Sequence, residues 1–245
     1  MISLITSMFN AEEFIDSFME NILEQTVFHK CELIIIDANK EPEKHLVENY
    51  LKYENIKYNH ISDFGLSKDP GVYGCWNLAI KNALGKYITN ANVDDRRAKN
   101  AIEKQFNLLE KKEYIDLVYY RTLETDLPNE TVENNSAKIE FPCIDFSFDN
   151  LIRVNSPHCQ PMWRKSIHER FGYFNESLKF AADYDMWLRA AERGANMQRI
   201  NETLGLYYRN PQGISSKEET LMDAVQEVNQ LKMQYFNNVH AKQLT

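Results

Sequence analysis

Lys86-Tyr87-Ile88-Thr89-Asn90-Ala91-Asn92-Val93-Asp94-Asp95 decides the fold: a run that reads as a buried strand passes directly into a cluster of amide and carboxylate side chains. Alternation along an extended segment would place Asn92 and Asp94 on one side, with Val93 opposite. Two oxygen-bearing side chains so spaced can hold a ribose and a hard divalent cation, which keeps phosphate oxygens and water as further ligands. Taken alone, Asp94-Asp95-Arg96-Arg97 reads as a solvated turn that caps the next helix. Its position behind a buried strand is what gives it chemical weight.

Working outward, Ile2–Thr6, Glu32–Ile36, Ile56–Ile61 and Ile115–Tyr120 read as further strands. Between them apolar residues recur at helical spacing: Phe14, Phe18 and Ile22, then Leu46, Val47, Tyr50 and Leu51 behind Pro42. Asp69-Pro70 looks like an N-cap followed by proline at the first helical position, opening a helix with Val72, Trp76, Ala79, Ile80 and Ala83 on one side. Ile102, Phe106 and Leu109 mark another. Such β-α-β alternation predicts an α/β domain with a mostly parallel, Rossmann-like central sheet flanked by helices.

From about Arg121 to Asn155 the pattern dissolves into polar, proline-interrupted sequence, which predicts a long loop. Order returns with Pro161–Arg164, the helical stretch Asp183–Arg193 and the strand-like Gly205–Arg209. Leu221, Val225, Val228, Leu231 and Tyr235 then predict an amphipathic C-terminal helix that packs on the core. The alternatives for that stripe are a homodimer contact or peripheral association with a membrane surface. The expected organisation is therefore a main domain over 1–216 and a helical extension over 217–245.

The net charge is −8 with no basic stripe, which makes nucleic acid a poor candidate partner. No apolar run approaches the roughly 20 residues of a membrane span. The opening Ile2-Ser3-Leu4-Ile5 has no basic segment before it, and the chain reads as cytoplasmic. Cys31, Cys75, Cys143 and Cys159 are scattered without a C-x-x-C pair, as expected of reduced, partly buried thiols.

In open parallel sheets ligands bind beyond the carboxyl ends of the strands. Three polar groups fall there: Ser7–Asn10, Asp37 and Asn92–Asp95. Asp183 opens a helix on which it shares a face with Trp187, while Asp185 and Arg189 form an i, i+4 ion pair. For Asp183 the residue pattern leaves helix capping and catalysis both open.

These segments, in this order, resemble the family 2 inverting glycosyltransferases of the GT-A fold, particularly bacterial enzymes of surface-polysaccharide assembly, from Ile2 to about Ser216. Ile2–Asn10 resembles the opening strand, with Phe9-Asn10 where a tyrosine-asparagine pair is usual. Glu32–Asp37 resembles the second strand, and Asp69–Asn77 the segment before the metal motif. Asn92-Val93-Asp94-Asp95 stands at the D-x-D motif. His158-Cys159-Gln160 and Phe171–Glu176 resemble the acceptor-side stretch, and Ala181–Arg189 the catalytic-base motif. The chain departs from the pattern at Asn92, which carries no charge, at Ala182, where glutamate is usual, and at Ser7, where proline is common.

The resemblance implies transfer of a sugar from a nucleotide-sugar donor, most commonly UDP-linked, to a hydroxyl of a saccharide or lipid-linked saccharide acceptor. It implies Asp183 as general base and Mn²⁺ or Mg²⁺ at Asp94. Asp37 with Ser7, Phe9 and Asn10 would recognise the base, and Asn92 would hydrogen-bond the ribose. Asp69 and Asn77 would line the donor pocket, and Arg209 would reach the diphosphate or form a surface ion pair. His158 would lie near the acceptor or the diphosphate, with a structural histidine as the alternative, and Trp187 would form part of the acceptor-side wall. Two rivals remain. A nucleotidyltransferase would need a glycine-rich basic loop after the first strand, and none is there. A non-catalytic sugar-nucleotide-binding relative is left open by Asn92.

Overall fold

A computed structural model describes residues 1–214 and 216–243, the side chains of 239–243 excepted. Ser215, within the expected 1–216 unit, and residues 244 and 245 of the expected helical extension lie outside the described residues. The first half runs β1 (Ile2–Met8), α1 (Ile15–Leu23), β2 (Cys31–Asp37), β3 (Ile56–His60), α2 (Gly71–Asn82) and β4 (Tyr87–Asn90). The second half runs β5 (Arg96–Arg97), α3 (Ala101–Lys111), β6 (Leu117–Thr125), β7 (Ile139–Glu140), α4 (Phe148–Arg153), β8 (Met162–Arg164), α5 (Ile167–Phe171), α6 (Ala182–Glu192), β9 (Met197–Tyr208) and α7 (Glu218–Gln243).

The strands form one sheet in the order β3-β2-β1-β4-β8-β6-β9-β5, with β7 added on β6. Its first four strands are parallel, as the β-α-β alternation requires. Beyond β4 the sheet is mixed rather than mostly parallel. β8 runs antiparallel to both β4 and β6, and β5 antiparallel to β9. These antiparallel partners are distant in the chain, with helices lying between β4 and β8, β6 and β8, and β5 and β9.

Both faces of the parallel half are covered, and side-chain alternation sorts its strands between two cores. Ile34 and Ile36 of β2 face a layer built from α2, α6 and the rings of Trp76, Trp163, Phe174 and Trp187. Leu33 and Ile35 face the opposite layer, with Phe18, Met19 and Ile22 of α1 and Ile102 and Leu109 of α3. Gly85 is required at the entry to β4, because a Cβ there would stand 2.6 Å from the backbone nitrogen of Ser3.

Three expectations change. The helix behind Pro42 is two 3₁₀ turns, Lys44–Leu46 and Glu48–Tyr50, a segment too short to repay helix nucleation. The 121–155 stretch is not one loop: it holds the end of β6, the short β7 and α4. The C-terminal stripe docks through Ala224, Val228, Leu231 and Tyr235, whereas Leu221 and Val225 stay exposed on the opening turns. Burial of Leu231 and Tyr235 holds α7 on the core, each worth about 2 kcal/mol. Among the described residues no helix is long and apolar enough to cross a membrane.

Candidate active site

Sheet register brings the polar strand ends together. Met8 pairs with Asp37 and Ile5 with Asn90, so β1, β2 and β4 finish on the same edge. Phe9-Asn10, Asp37 and Asn92–Asp95 leave those strands side by side. The start of α2 lies there too, since the thiol of Cys75 meets the hydroxyl of Ser7. In the first turn of α2, the Tyr73 hydroxyl reaches the Asp183 carboxylate at 3.1 Å and the Phe180 carbonyl at 2.9 Å. Asp183 is thereby tied to the edge that carries Asp94.

The Asn92–Asp95 segment is a turn rather than an extended pair, closed by the Asp95 N–H donating to the Asn92 carbonyl at 3.2 Å. Asn92 is consequently spent inside the turn, its amide donating to Asp95 Oδ2 at 2.9 Å. Asp95 is buried and also accepts from the Tyr208 N–H and the Cys159 thiol. Asp94, at the corner, accepts from Asn210 Nδ2 at 3.2 Å. Burial holds the Asp94 carboxyl above its ordinary range. Burial, with Asp94 beside it, pushes Asp95 up to about 7.

Arg96 ties the turn together. With 1% exposure, it donates to the carbonyls of Val93 and Asp95, each at 2.8 Å, and to Asn129 Oδ1 at 2.7 Å. The arginines expected on a solvated turn are buried in β5. The Arg96 charge interacts with both aspartates, where it offsets part of the burial penalty.

Among the described residues no three His, Cys, Asp or Glu side chains are grouped to cage a metal. The donor set fits a different arrangement. Asp95 is committed to its own partners, and Asp94 supplies one carboxylate at a crowded anionic corner. A hard divalent ion held by one carboxylate and completed by substrate phosphates suits that chemistry.

Asp183 lies in the first turn of α6, but the N-cap is Ala181. Burial raises its carboxyl above the usual range, opposed by the Tyr184 N–H and by the side chains of Asn155 and Tyr73. Asn155 Nδ2 donates to Asp183 Oδ2 at 3.2 Å, while Cys159 donates to Asp95 at 3.5 Å. Those two anchors are separated by four chain steps, so their Cα atoms are at most about 14 Å apart. The His158 N–H closes the segment into a turn on the Asn155 carbonyl. The two carboxylate centres therefore flank one short bridge.

His158 stacks on Phe141, with ring centroids 3.9 Å apart, and meets the edge of Tyr207. Burial lowers it to about 4, so it is uncharged at neutral pH and offers a diphosphate no cation. Its Nδ1 has no hydrogen-bond partner among the described residues.

Other expected site residues are placed differently. Trp187 is 1% exposed and packs against Trp163 and Phe174; one helical turn beyond Asp183 its ring points into the core and presents no face to a sugar. Asn77 is buried, its amide committed to Phe174 and Glu176. Asp37 is buried and accepts from the N–H and amide of Asn39, the N–H of Glu43 and the Tyr58 hydroxyl, which leaves it no free face for a nucleobase. Asp69 is exposed and accepts the Gly71 N–H at 2.7 Å, so the helix starts one residue later than expected. Arg209 is paired with Glu124. Phe9 is exposed, and Asn10, with φ 48°, donates its N–H to Asn39. Asp185 and Arg189 form the expected ion pair at 3.1 Å. Sequence reading did not single out Tyr73, Asn155 or Asn210, polar residues whose partners are distant in the chain.

The chain matches the model of glycosyl transferase family 2 over residues 3–171 and belongs to that family. It is similar to the uncharacterized glycosyltransferase RP339 of Rickettsia prowazekii, 23% identical over 77% of this chain and 58% of the relative. The chain thus spans under two thirds of that relative's length. In structure it resembles S. aureus TarS 1–349 in complex with UDP-GlcNAc, with a TM-score of 0.71 and 16% identity over 88% of this chain and 60% of the other. It also resembles the mannosyltransferase PcManGT from Pyrobaculum calidifontis in complex with GDP-Man and Mn²⁺, at 0.63 and 14% over 86% and 58%. The fold is that of these GT-A proteins.

Proposed function

We propose that this chain transfers a sugar from a UDP-linked donor to a hydroxyl of a saccharide or lipid-linked saccharide, inverting the anomeric carbon. The observation that carries the reading is the placing of two carboxylate centres, Asp94-Asp95 and Asp183, at the two ends of the Asn155–Cys159 turn, which meets Asp183 through Asn155 and Asp95 through Cys159. The acceptor oxygen attacks the anomeric carbon in line with the departing diphosphate, and Asp183 takes the hydroxyl proton. Burial that raises the Asp183 carboxyl also makes it a stronger proton acceptor. Mn²⁺ or Mg²⁺, held at Asp94 with the donor phosphates, would supply charge neutralisation on the leaving group.

Ser7, exposed Phe9 and Asn10 offer the surface for the base and ribose, with Asp37 bracing that surface from below through Asn39 and Glu43. Arg209 adjoins Asn210, which touches Asp94, and would exchange its Glu124 partner for a phosphate oxygen of the donor. The bound UDP-GlcNAc and GDP-Man of the two structural neighbours support a nucleotide-sugar donor.

A thermal-shift series with UDP, GDP, dTDP and their sugars, with Mn²⁺ or EDTA, tests the reading. UDP with Mn²⁺ should raise Tm most, since a ligand at a hundred times its Kd adds about 2.7 kcal/mol. No shift from any nucleotide at millimolar concentration would contradict it.

A further inference from the structure

The C-terminal helix reaches the active centre through one carboxylate. Glu227 of α7 accepts three successive backbone N–H groups: Lys179 at 3.0 Å, and Phe180 and Ala181 each at 2.8 Å. Consecutive amides converging on one anion form a concave cradle, and this one adjoins the N-terminus of α6, where the helix dipole favours negative charge. α6 has no side-chain cap of its own, so Glu227 supplies the anion from a different element. Three charge-assisted hydrogen bonds fix these peptides more firmly than packing alone would.

The Phe180 peptide is the one that matters for Asp183. In the unit that joins Phe180 to Ala181, the Ala181 N–H is held by Glu227 and the Phe180 carbonyl accepts from Tyr73. The same Tyr73 hydroxyl also points at Asp183 Oδ1. A hydroxyl has a single proton, so the Phe180 carbonyl and the Asp183 carboxylate compete for it. Where Phe180 is held determines how much of that proton Asp183 receives.

We propose that Glu227 is a positioning residue for Asp183, acting through the Phe180 peptide and the Tyr73 hydroxyl, which makes α7 part of the catalytic unit. The inference rests on the reading of Asp183 as the base. Released from Glu227, the Phe180 carbonyl drifts from Tyr73, and the hydroxyl donates fully to Asp183. A hydrogen bond to the charged form weakens a base. Glu227 thus keeps the carboxylate less solvated by its own neighbours and more available to an acceptor hydroxyl.

The test is carboxyl-carbon NMR titration of ¹³C-Asp-labelled full chain, with the Asp183 signal assigned by its loss in Asp183→Asn. Glu227→Gln keeps side-chain size and one acceptor oxygen, so the fold is retained. Its Asp183 midpoint should fall by about half a pH unit or more, and that of Tyr73→Phe should rise. In a Tyr73→Phe background, at least about half of the Glu227→Gln shift should vanish, because the relay is cut. An unchanged midpoint in Glu227→Gln, or a shift that persists whole without the Tyr73 hydroxyl, overturns the inference. Neither outcome bears on turnover, so a failed base assignment, seen as activity in Asp183→Asn, is told apart.

Discussion

Asn155 and Asp183, 28 positions apart in the chain, meet at 3.2 Å between amide nitrogen and carboxylate oxygen. The contact joins the base candidate to a turn whose other end, Cys159, holds Asp95. A donor hydrogen bond of this kind orients a carboxylate and favours its charged form. Asn155→Ala should lower kcat by about tenfold, near 1.4 kcal/mol, with nucleotide affinity preserved. The acid limb of the pH–rate profile should move to higher pH, since the charged base loses a partner. A limb moving to lower pH would count against this role.

Asp94 is the carboxylate left to meet a cation at the turn, since Asp95 is committed to Asn92, Tyr208 and Cys159. Asp94→Ala should weaken Mn²⁺-supported UDP binding by at least about tenfold, or 1.4 kcal/mol. Calorimetry with Mn²⁺ and with EDTA checks this. Equal affinity in all four combinations of protein and medium would remove the metal from the account.

Arg96 holds the turn through the Val93 and Asp95 carbonyls, on residues buried with it. Arg96→Ala should cost about 3 kcal/mol in stability. Thermal melting should show a fall in Tm of roughly 6–12 °C. A variant melting with the wild type would mean that the turn keeps its shape unaided.

The same burial that makes Asp183 a better base also works against the fold. A carboxyl whose folded-state pKa exceeds its unfolded value contributes stability below both values, and loses it as pH climbs from the unfolded toward the folded value. Asp183→Asn carries no such loss. Its Tm relative to wild type should therefore rise with pH from about 3.9, the ordinary aspartate value, and level off once Asp183 is ionised. Asn155 can adapt, because its Oδ1 is buried without a partner among the described residues and can accept from the new amide. Melting curves across that range that show no pH-dependent difference would deny that Asp183 is desolvated.

The parallel half of the fold was legible because β2 carries the unbroken apolar run Leu33–Ile36 and strand and helix patterns alternate around it, and the ends of β2 and β4 placed Asp37 and Asn92–Asp95 on one edge. Of β9 only the end was legible, at Gly205–Tyr208: Met197–Thr203 alternates weakly and is held by pairing with β6, some eighty residues earlier. Arg96 illustrates the same limit at the site. An arginine is buried only where distant groups such as Asn129 meet its donors, and no local pattern announces them. Trp187 failed differently. Its spacing from Asp183 gives the face of the helix but not the depth, and a large ring one turn inward belongs to the core.

Asp183→Asn tests the central claim most directly. Release of UDP from UDP-GlcNAc with Mn²⁺, and from the other donors that raise Tm, should fall at least about a thousandfold in the variant, near 4 kcal/mol. The Kd for UDP should stay within about twofold of the wild type. Wild-type turnover in Asp183→Asn, with any donor, would contradict the account.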